Sequence, residues 1–467
     1  MNVKIGLEIH ASLLTKTKLF CSCPAYEAIE PNSQTCPVCL GHPGSKPVVN
    51  KQAINFAIKL SSALKCEISK EVVFSRKSYF YPDLSKNYQI TQYEIPLGKK
   101  GFIEVNEKNI EITRVHLEED PGALVHLEGI SKSNFCLVDY NRSGLPLCEI
   151  VTEPTISSPS EARDFLKMLV SILEYLAIFD SKKCELKADV NCSIEKSNYT
   201  RVEIKNITGF KEIEQALINE LKRQQELVKS GGKIFQETRG WNAESQETFS
   251  LRKKETEDDY GYIIDTDLVP YELDNKIIKK LQKEIPELPN ERSKRYQKRY
   301  KINKIDADVI TQDKNVADLF EKIVKKIDPI IASQWFRHEL LRLINITEKS
   351  INELKINETY IIELLRLIKD QKITNKIAKE ILENVLIKNI SPIEYVKKQG
   401  LEMKKDVNEL VLLCKEAIKS SPDAVKDYLS GKEKSINFII GKVMNKTKGT
   451  AKPQELKDII DKLLKEK

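Results

Sequence analysis

The sequence predicts an α+β protein: a strand- and loop-rich body comes first, and a helical remainder follows. Three observations carry this. Thirteen of the 17 glycines lie at or before Gly261, and none lies between residues 262 and 399. Apolar and polar residues alternate with period 2 in several stretches of the first 210 residues. From residue 306 onward the apolar residues recur at helical spacing in short segments.

The elements follow in order. In KIGLEIH, Ile5, Leu7 and Ile9 face one way, and Gly6, Glu8 and His10 the other. Residues 50–66 have helical periodicity. So do residues 159–178, where Ser158 before Pro159 reads as an N-cap with proline at the first helical position. In ELKADVNCSI, Leu186, Ala188 and Val190 alternate with Lys187, Asp189, Asn191 and Ser193. In RVEIKNI, Val202 and Ile204 alternate with Arg201, Glu203 and Lys205. Residues 211–230 form an amphipathic helix that stops at Gly231-Gly232. The proline-marked, charged stretch 285–302 reads as a connector. Short helices then fill 306–400, and a last helical section covers 401–467.

A chain of 467 residues allows about three domains, placed here at 1–290, 291–400 and 401–467. The net charge of +7 is mild; it permits nucleic-acid binding without demonstrating it. The apolar runs fall short of a membrane-spanning helix. The opening MNVKIGLEIH enters a strand pattern at once, unlike a signal or transit peptide, so a cytoplasmic location is expected. Nine of the 10 cysteines precede residue 193, without the spacing of a secreted disulfide scaffold.

Four groups of residues could carry chemistry. Cys21, Cys23, Cys36 and Cys39, in a loop at 20–40, offer two close thiolate pairs that suit a structural tetrahedral zinc; the other reading is four unrelated buried thiols. Glu8, His10, the acidic run Glu118-Glu119-Asp120 and Glu149 mix carboxylates with imidazole. That donor set suits magnesium, though salt-bridged surface acids would look the same. Residues 74–97 mix Arg76, Lys77 and Lys86 with Tyr79, Phe80, Tyr81, Tyr88 and Tyr93. The mixture suits phosphate and base contacts, or ordinary sheet packing. In DYNRSGLPLCEI, Arg142 is a candidate phosphate or carboxylate fork, or a structural ion pair. The standard phosphate loops and the G-x-S-x-G elbow are absent from the sequence.

Taken together, IGLEIHASLLTKTKLFC, CPVCLGHPGSKPVVN, SRKSYFYPDLSKNYQITQYEIPL, RVHLEEDPG, VDYNRSGLPLCEIVTEP, KADVNCSI, EIKNITGF and QETRGWN resemble the B subunits of the tRNA-dependent amidotransferase GatCAB. They occur in that family's order over residues 5–242. INFIIGKVMNKTKGTAKPQ looks like the family's tail domain. Ala123 stands where many relatives have lysine, and Gly261 and Ile263-Ile264 stand where an Arg-Tyr-Phe-Pro run is common.

The resemblance implies an antiparallel-sheet cradle, then a helical domain, then a small helical tail domain. It also implies a ligase component that binds mischarged Asp-tRNA(Asn) or Glu-tRNA(Gln) and phosphorylates the side-chain carboxylate with ATP. A partner amidase (the A subunit) supplies glutamine-derived ammonia, and a small C subunit completes the heterotrimer. Glu8, His10, Glu118, Glu119 and Glu149 become the expected magnesium ligands, and the four cysteines match the zinc-bearing branch. Lys77, Lys86 and Arg142 become the expected phosphate or carboxylate contacts, with Asp189 and Asn191 beside them. Lys442, Lys446 and Lys448 become the expected tRNA contacts of the tail, where residues 442–467 hold eight lysines against four acids. A tRNA-binding platform without chemistry is the competing reading. The intact set of acids argues against it.

Overall fold

A computed structural model describes residues 2–127, 133–253, 260–354, 356–403, 407–447 and 449–465. The chain divides into two compact units, Met1–Asn290 and Glu291–Lys467.

The first unit is built on a nine-stranded sheet. Across it the strands run Glu247–Lys253, Glu237–Asn242, Val202–Thr208, Leu186–Ile194, Val3–Ser12, Pro146–Thr152, Lys108–Glu119, Gly98–Val105 and Glu67–Ile68. Every pair is antiparallel except Val202–Thr208 with Glu237–Asn242, which is parallel. The helix Phe210–Lys229 lies between those two in the chain. A parallel pair needs such a crossover, whereas antiparallel neighbours can be joined by tight turns.

The alternation in the sequence decides which face is covered. Ile5, Leu7 and Ile9 are buried, as are Ala188, Val190, Val202 and Ile204. All but Val202 join one core with Leu60 of the helix Lys51–Ala63, Phe165 and Leu169 of Pro159–Tyr175, and Leu217 of Phe210–Lys229. Asn50 caps the first helix through its side-chain oxygen and Ser158 caps the second, with Pro159 at its start. All three helices therefore pack on one face of the sheet, and the polar residues of the central strands are left on the other.

The second unit is helical. It holds one core from Tyr296 to Leu401 and another from Leu410 to Leu464. Among the described residues no helix is long and apolar enough to cross a membrane.

Candidate functional site

Strand register gathers the acids. His10 lies opposite Glu149, and Glu149 lies opposite His116, so three neighbouring strands present imidazole, carboxylate and imidazole in one row. Glu118 stands two residues beyond His116, on the same face. On the other side of the central strand, Glu8 lies opposite Asp189. All of these groups point away from the helix-covered core.

Two clusters result. In the first, His10 Nε2 is 3.4 Å from Glu118 Oε1 and 3.4 Å from Glu149 Oε2. His116 Nε2 is 3.3 Å from Glu149 Oε2. Burial by itself would lower the His10 pKa, but the contact with Glu149 and the charge of Glu118 outweigh it and raise it to about 10. Burial and the nearby Glu149 push Glu118 up. Glu149, despite its burial, is held well below the usual carboxylate range by His116 and His10. In the second cluster, carboxylate oxygens of Glu8, Asp189 and Glu203 all lie within 4.8 Å of one another. Lys205 reaches Asp189 at 2.7 Å and Glu203 at 3.4 Å, and Thr238 donates to Glu203 at 2.9 Å.

Both clusters line one pocket of about 570 Å³, together with Lys77, Arg114, Arg201, Tyr93, Tyr260 and Tyr262. Lys77 Nζ sits 4.6 Å from the Tyr260 ring centroid and 5.8 Å from that of Tyr79. Both rings steady the ammonium by cation–π attraction.

The donor set fits a divalent cation. Carboxylate oxygens within 4.8 Å of one another, joined in the first cluster by the His10 imidazole, suit magnesium or manganese. Crowded carboxylates also favour a positive charge among them, which a bound cation would supply. Among the described residues, nothing hydrogen-bonds the buried Nδ1 of His116.

The four cysteines form a separate centre. Their sulfurs lie within 4.8 Å of one another, and Cys36 Sγ and Cys39 Sγ are 3.9 Å apart. A tetrahedral zinc with 2.3 Å bonds would space its sulfurs by about 3.8 Å. Cys39 is lowered to about 4 by a hydrogen bond from the Cys21 thiol, against its burial, with help from the Cys36 N–H and the Lys18 ammonium. The loop is tied to the turn at 139–142. Asn141 Oδ1 accepts from Gln34 N and its Nδ2 donates to Glu30 O, while Asn32 Oδ1 accepts from Tyr140 N.

Several sequence-predicted residues fall elsewhere. Glu119 does not join Glu118: successive strand residues point to opposite faces, and its carboxylate is buried against Lys86 Nζ (2.7 Å from Oε2) and Ile90 N. That contact commits Lys86 as well. Arg142 donates to the carbonyls of Pro121 and Gly122 and lies 3.4 Å from Asp120, so it braces the turn after the acidic strand. Asn191 donates to Glu8 Oε1 at 3.0 Å and orients that carboxylate. In the tail, Lys442 donates to Ser420 O and Lys446 pairs with Glu416. Lys448 lies outside the described residues.

Sequence reasoning missed His116, Glu203, Arg201 and Tyr262 as site residues. A signal existed for the first. Arg114, His116 and Glu118 share a parity opposite to Val115 and Leu117, which marks them as the polar row.

Residues 3–279 match the family described as the GatB/GatE catalytic domain, and residues 318–464 match the GatB domain. Three similar proteins are each named as the B subunit of an aspartyl/glutamyl-tRNA(Asn/Gln) amidotransferase. The one from Carboxydothermus hydrogenoformans is 42% identical over 473 residues, covering 99% of this chain and 98% of that protein. Those from Thermotoga maritima and Clostridium beijerinckii are 43% and 41% identical over 98% and 99% of this chain, and over 98% of each relative.

Proposed function

Because the chain belongs to the GatB family, as the B subunit of a multi-subunit glutamine-dependent amidotransferase, we propose that its pocket activates the side-chain carboxylate of an aspartyl or glutamyl group misplaced on tRNA(Asn) or tRNA(Gln). A carboxylate oxygen attacks the γ-phosphorus of ATP and ADP leaves. Ammonia then attacks the acyl phosphate carbon and inorganic phosphate departs, leaving the amide. Ammonia does not readily displace oxide from a carboxylate, so the phosphorylation supplies the leaving group.

The observation that carries this reading is the pairing, in one pocket, of two carboxylate clusters with cations held beside them. Phosphoryl transfer needs positioning and charge neutralisation more than a protein nucleophile. Lys77, steadied by Tyr79 and Tyr260, neutralises phosphate, and Arg201 on the pocket wall offers a guanidinium fork to a substrate carboxylate. His10, Glu118 and Glu149 would hold magnesium, with His116 steadying Glu149 and with Glu8, Asp189 and Glu203 as a second set. When bound, magnesium supplies charge neutralisation to the phosphates. Asn191 and Lys205 keep the second set of carboxylates in place. Glu119, Lys86 and Arg142 lie outside the pocket lining and act on the fold around it, Glu119 through Lys86 and Arg142 through the turn carbonyls of Pro121 and Gly122.

Cys21, Cys23, Cys36 and Cys39 would hold a structural zinc that closes the loop beside the 139–142 turn. An amidase and a small third component complete the cytoplasmic assembly. The Lys-rich tail contacts tRNA phosphates without reading sequence.

The test is tRNA-dependent ATP cleavage by the chain co-purified with its amidase and small partners, supplied with mischarged tRNA and magnesium. Wild type should cleave ATP only when the mischarged tRNA is present. Glu149→Gln should lower turnover by on the order of 100-fold or more. Full turnover in that variant would remove the cluster from the reaction.

A further inference from the structure

Arg76 and Lys77 are adjacent on the strand Ser75–Ser78, so they face opposite sides: Lys77 lines the pocket and Arg76 does not. Arg76 Nε lies 2.7 Å from Asp265 Oδ2, a second guanidinium nitrogen lies 3.0 Å from Asp267 Oδ2, and the group sits 4.5 Å from the Tyr88 ring centroid. The other oxygen of Asp265 accepts from Asp267 N at 2.8 Å and from Leu268 N at 3.0 Å, which closes a turn. Just before that turn Ile263–Ile264 pairs with Ser75–Ser78, and Tyr260 and Tyr262 form an aromatic wall of the pocket. Apolar burial does little to hold this arm. Ile263 and Ile264 are 54% and 50% exposed, and between residues 260 and 270 only Asp265 and Leu268 are buried. A carboxylate taken out of water is costly unless paired, so Asp265 stays inward only while Arg76 and the turn N–H groups meet it. At the end of the arm the Tyr260 ring centroid lies 4.6 Å from the Lys77 ammonium.

We infer that Arg76 is a positioning residue: its clasp on Asp265 and Asp267 holds the Tyr260–Tyr262 arm against the Ser75–Ser78 strand, and the arm in turn holds Lys77 where it meets phosphate. The clasp rests on the phosphorylation reading and adds to it a residue that touches no reacting atom. A guanidinium fork spans two carboxylates at once, which the point charge of an ammonium does not. Without the fork, Leu268 is the one buried apolar side chain between residues 260 and 270 that still anchors the arm. A small displacement of a group that positions phosphate costs much of the rate.

The experiment uses the full chain assembled with its partners and supplied with mischarged tRNA. Arg76→Gln should lower the kcat of ATP cleavage by about tenfold, and Arg76→Lys, which keeps one ion pair, should recover part of the loss. Asp265→Asn keeps the oxygen that closes the turn and should reproduce the Arg76→Gln defect. In a Lys77→Ala background Arg76→Gln should cost nothing further, because the two residues act as a unit. Acetylation with acetic anhydride, read by mass spectrometry, reports on Lys77 without any turnover. Its rate at Lys77 should rise about threefold in Arg76→Gln, the worth of one cation–π contact, with lysines remote from the arm unchanged. Wild-type kcat in Arg76→Gln, losses that multiply in the double variant, or a Lys77 acetylation rate that does not move would overturn the clasp. A rate that rises at every lysine would mark a general loosening and overturn it too. A wild-type complex without tRNA-dependent ATP cleavage would sink the phosphorylation reading itself, and the acetylation of Lys77 would then decide the clasp alone.

Discussion

Glu118 and Glu119 are neighbours in the chain, yet one faces the pocket and the other closes an ion pair with Lys86 in the interior. Side chains alternate along a strand, so two adjacent acids cannot both serve one face. Glu119→Gln should therefore act on stability more than on chemistry. It leaves the buried Lys86 ammonium without its partner, which costs about 3 kcal/mol. Denaturant unfolding should show this, and a Lys86→Met/Glu119→Leu double variant should recover most of the loss. Lys18 offers a second test at this scale. It is fully buried, and its Nζ meets Cys39 Sγ at 3.6 Å and Tyr140 O at 3.2 Å. An ammonium in that position needs negative charge, and the thiolates of the proposed zinc centre would provide it. Lys18→Met should lower zinc affinity by about tenfold in competition with a chromophoric chelator. An unchanged affinity would deny Lys18 that role.

At the scale of elements, caps and register do most of the placing. The helix Pro159–Tyr175 starts where the Ser158 hydroxyl accepts from Glu161 N, and Ser158→Ala should destabilise the first unit by about 1 kcal/mol. Glu161 adds a pH-dependent part. Its burial would raise the carboxyl pKa, but the Ser157 N–H and hydroxyl and the Lys108 ammonium outweigh that and lower it. A lowered carboxylate stabilises the fold above its unfolded pKa, and the contribution fades as pH falls through the folded one. The stability gap between wild type and Glu161→Gln should be full at neutral pH and should shrink toward zero below the ordinary carboxylate range, as equilibrium unfolding across pH would record. Register does the comparable work for the site. A one-residue slip of Pro146–Thr152 against Val3–Ser12 would turn Glu149 to the core and put Cys148 in its place.

The whole molecule separates chemistry from the helical region. Both carboxylate clusters, the aromatic wall and the four cysteines lie within residues 8–262. The hydrophobic core beneath them is drawn from residues 5–288. A fragment of residues 1–290 should therefore unfold in its own cooperative transition and retain zinc, measured by circular dichroism and metal analysis. A fragment that neither folds nor holds metal would show that this core is insufficient alone. Helices and strand faces in this unit were legible because periodicity is local: the three helices begin and end within a few residues of their sequence readings, and Ile5, Leu7 and Ile9 are buried as a row. The parallel pair was not legible, because its alternation is the same as that of an antiparallel strand and only the crossover helix distinguishes it. Among the candidate site residues, the four cysteines were legible from their spacing within one loop. Glu203 and Tyr262 were not, since each reaches the pocket through the pairing of strands whose register the local pattern leaves open.

By itself, the sequence determined a strand-rich body before a helical remainder, the Ser158 cap, the inward face of the three strands read by alternation and the family to which the ordered motifs point. These depend on neighbours three or four residues away, or on side chains too specific to recur by chance. Tertiary structure alone decided which face opens into a pocket, that His10, Glu118, Glu149 and His116 meet there, and that Glu119, Lys86 and Arg142 are spent on internal contacts. Which strand pairs with which, and in what register, is fixed by packing across the whole sheet, and no local pattern in the chain records that.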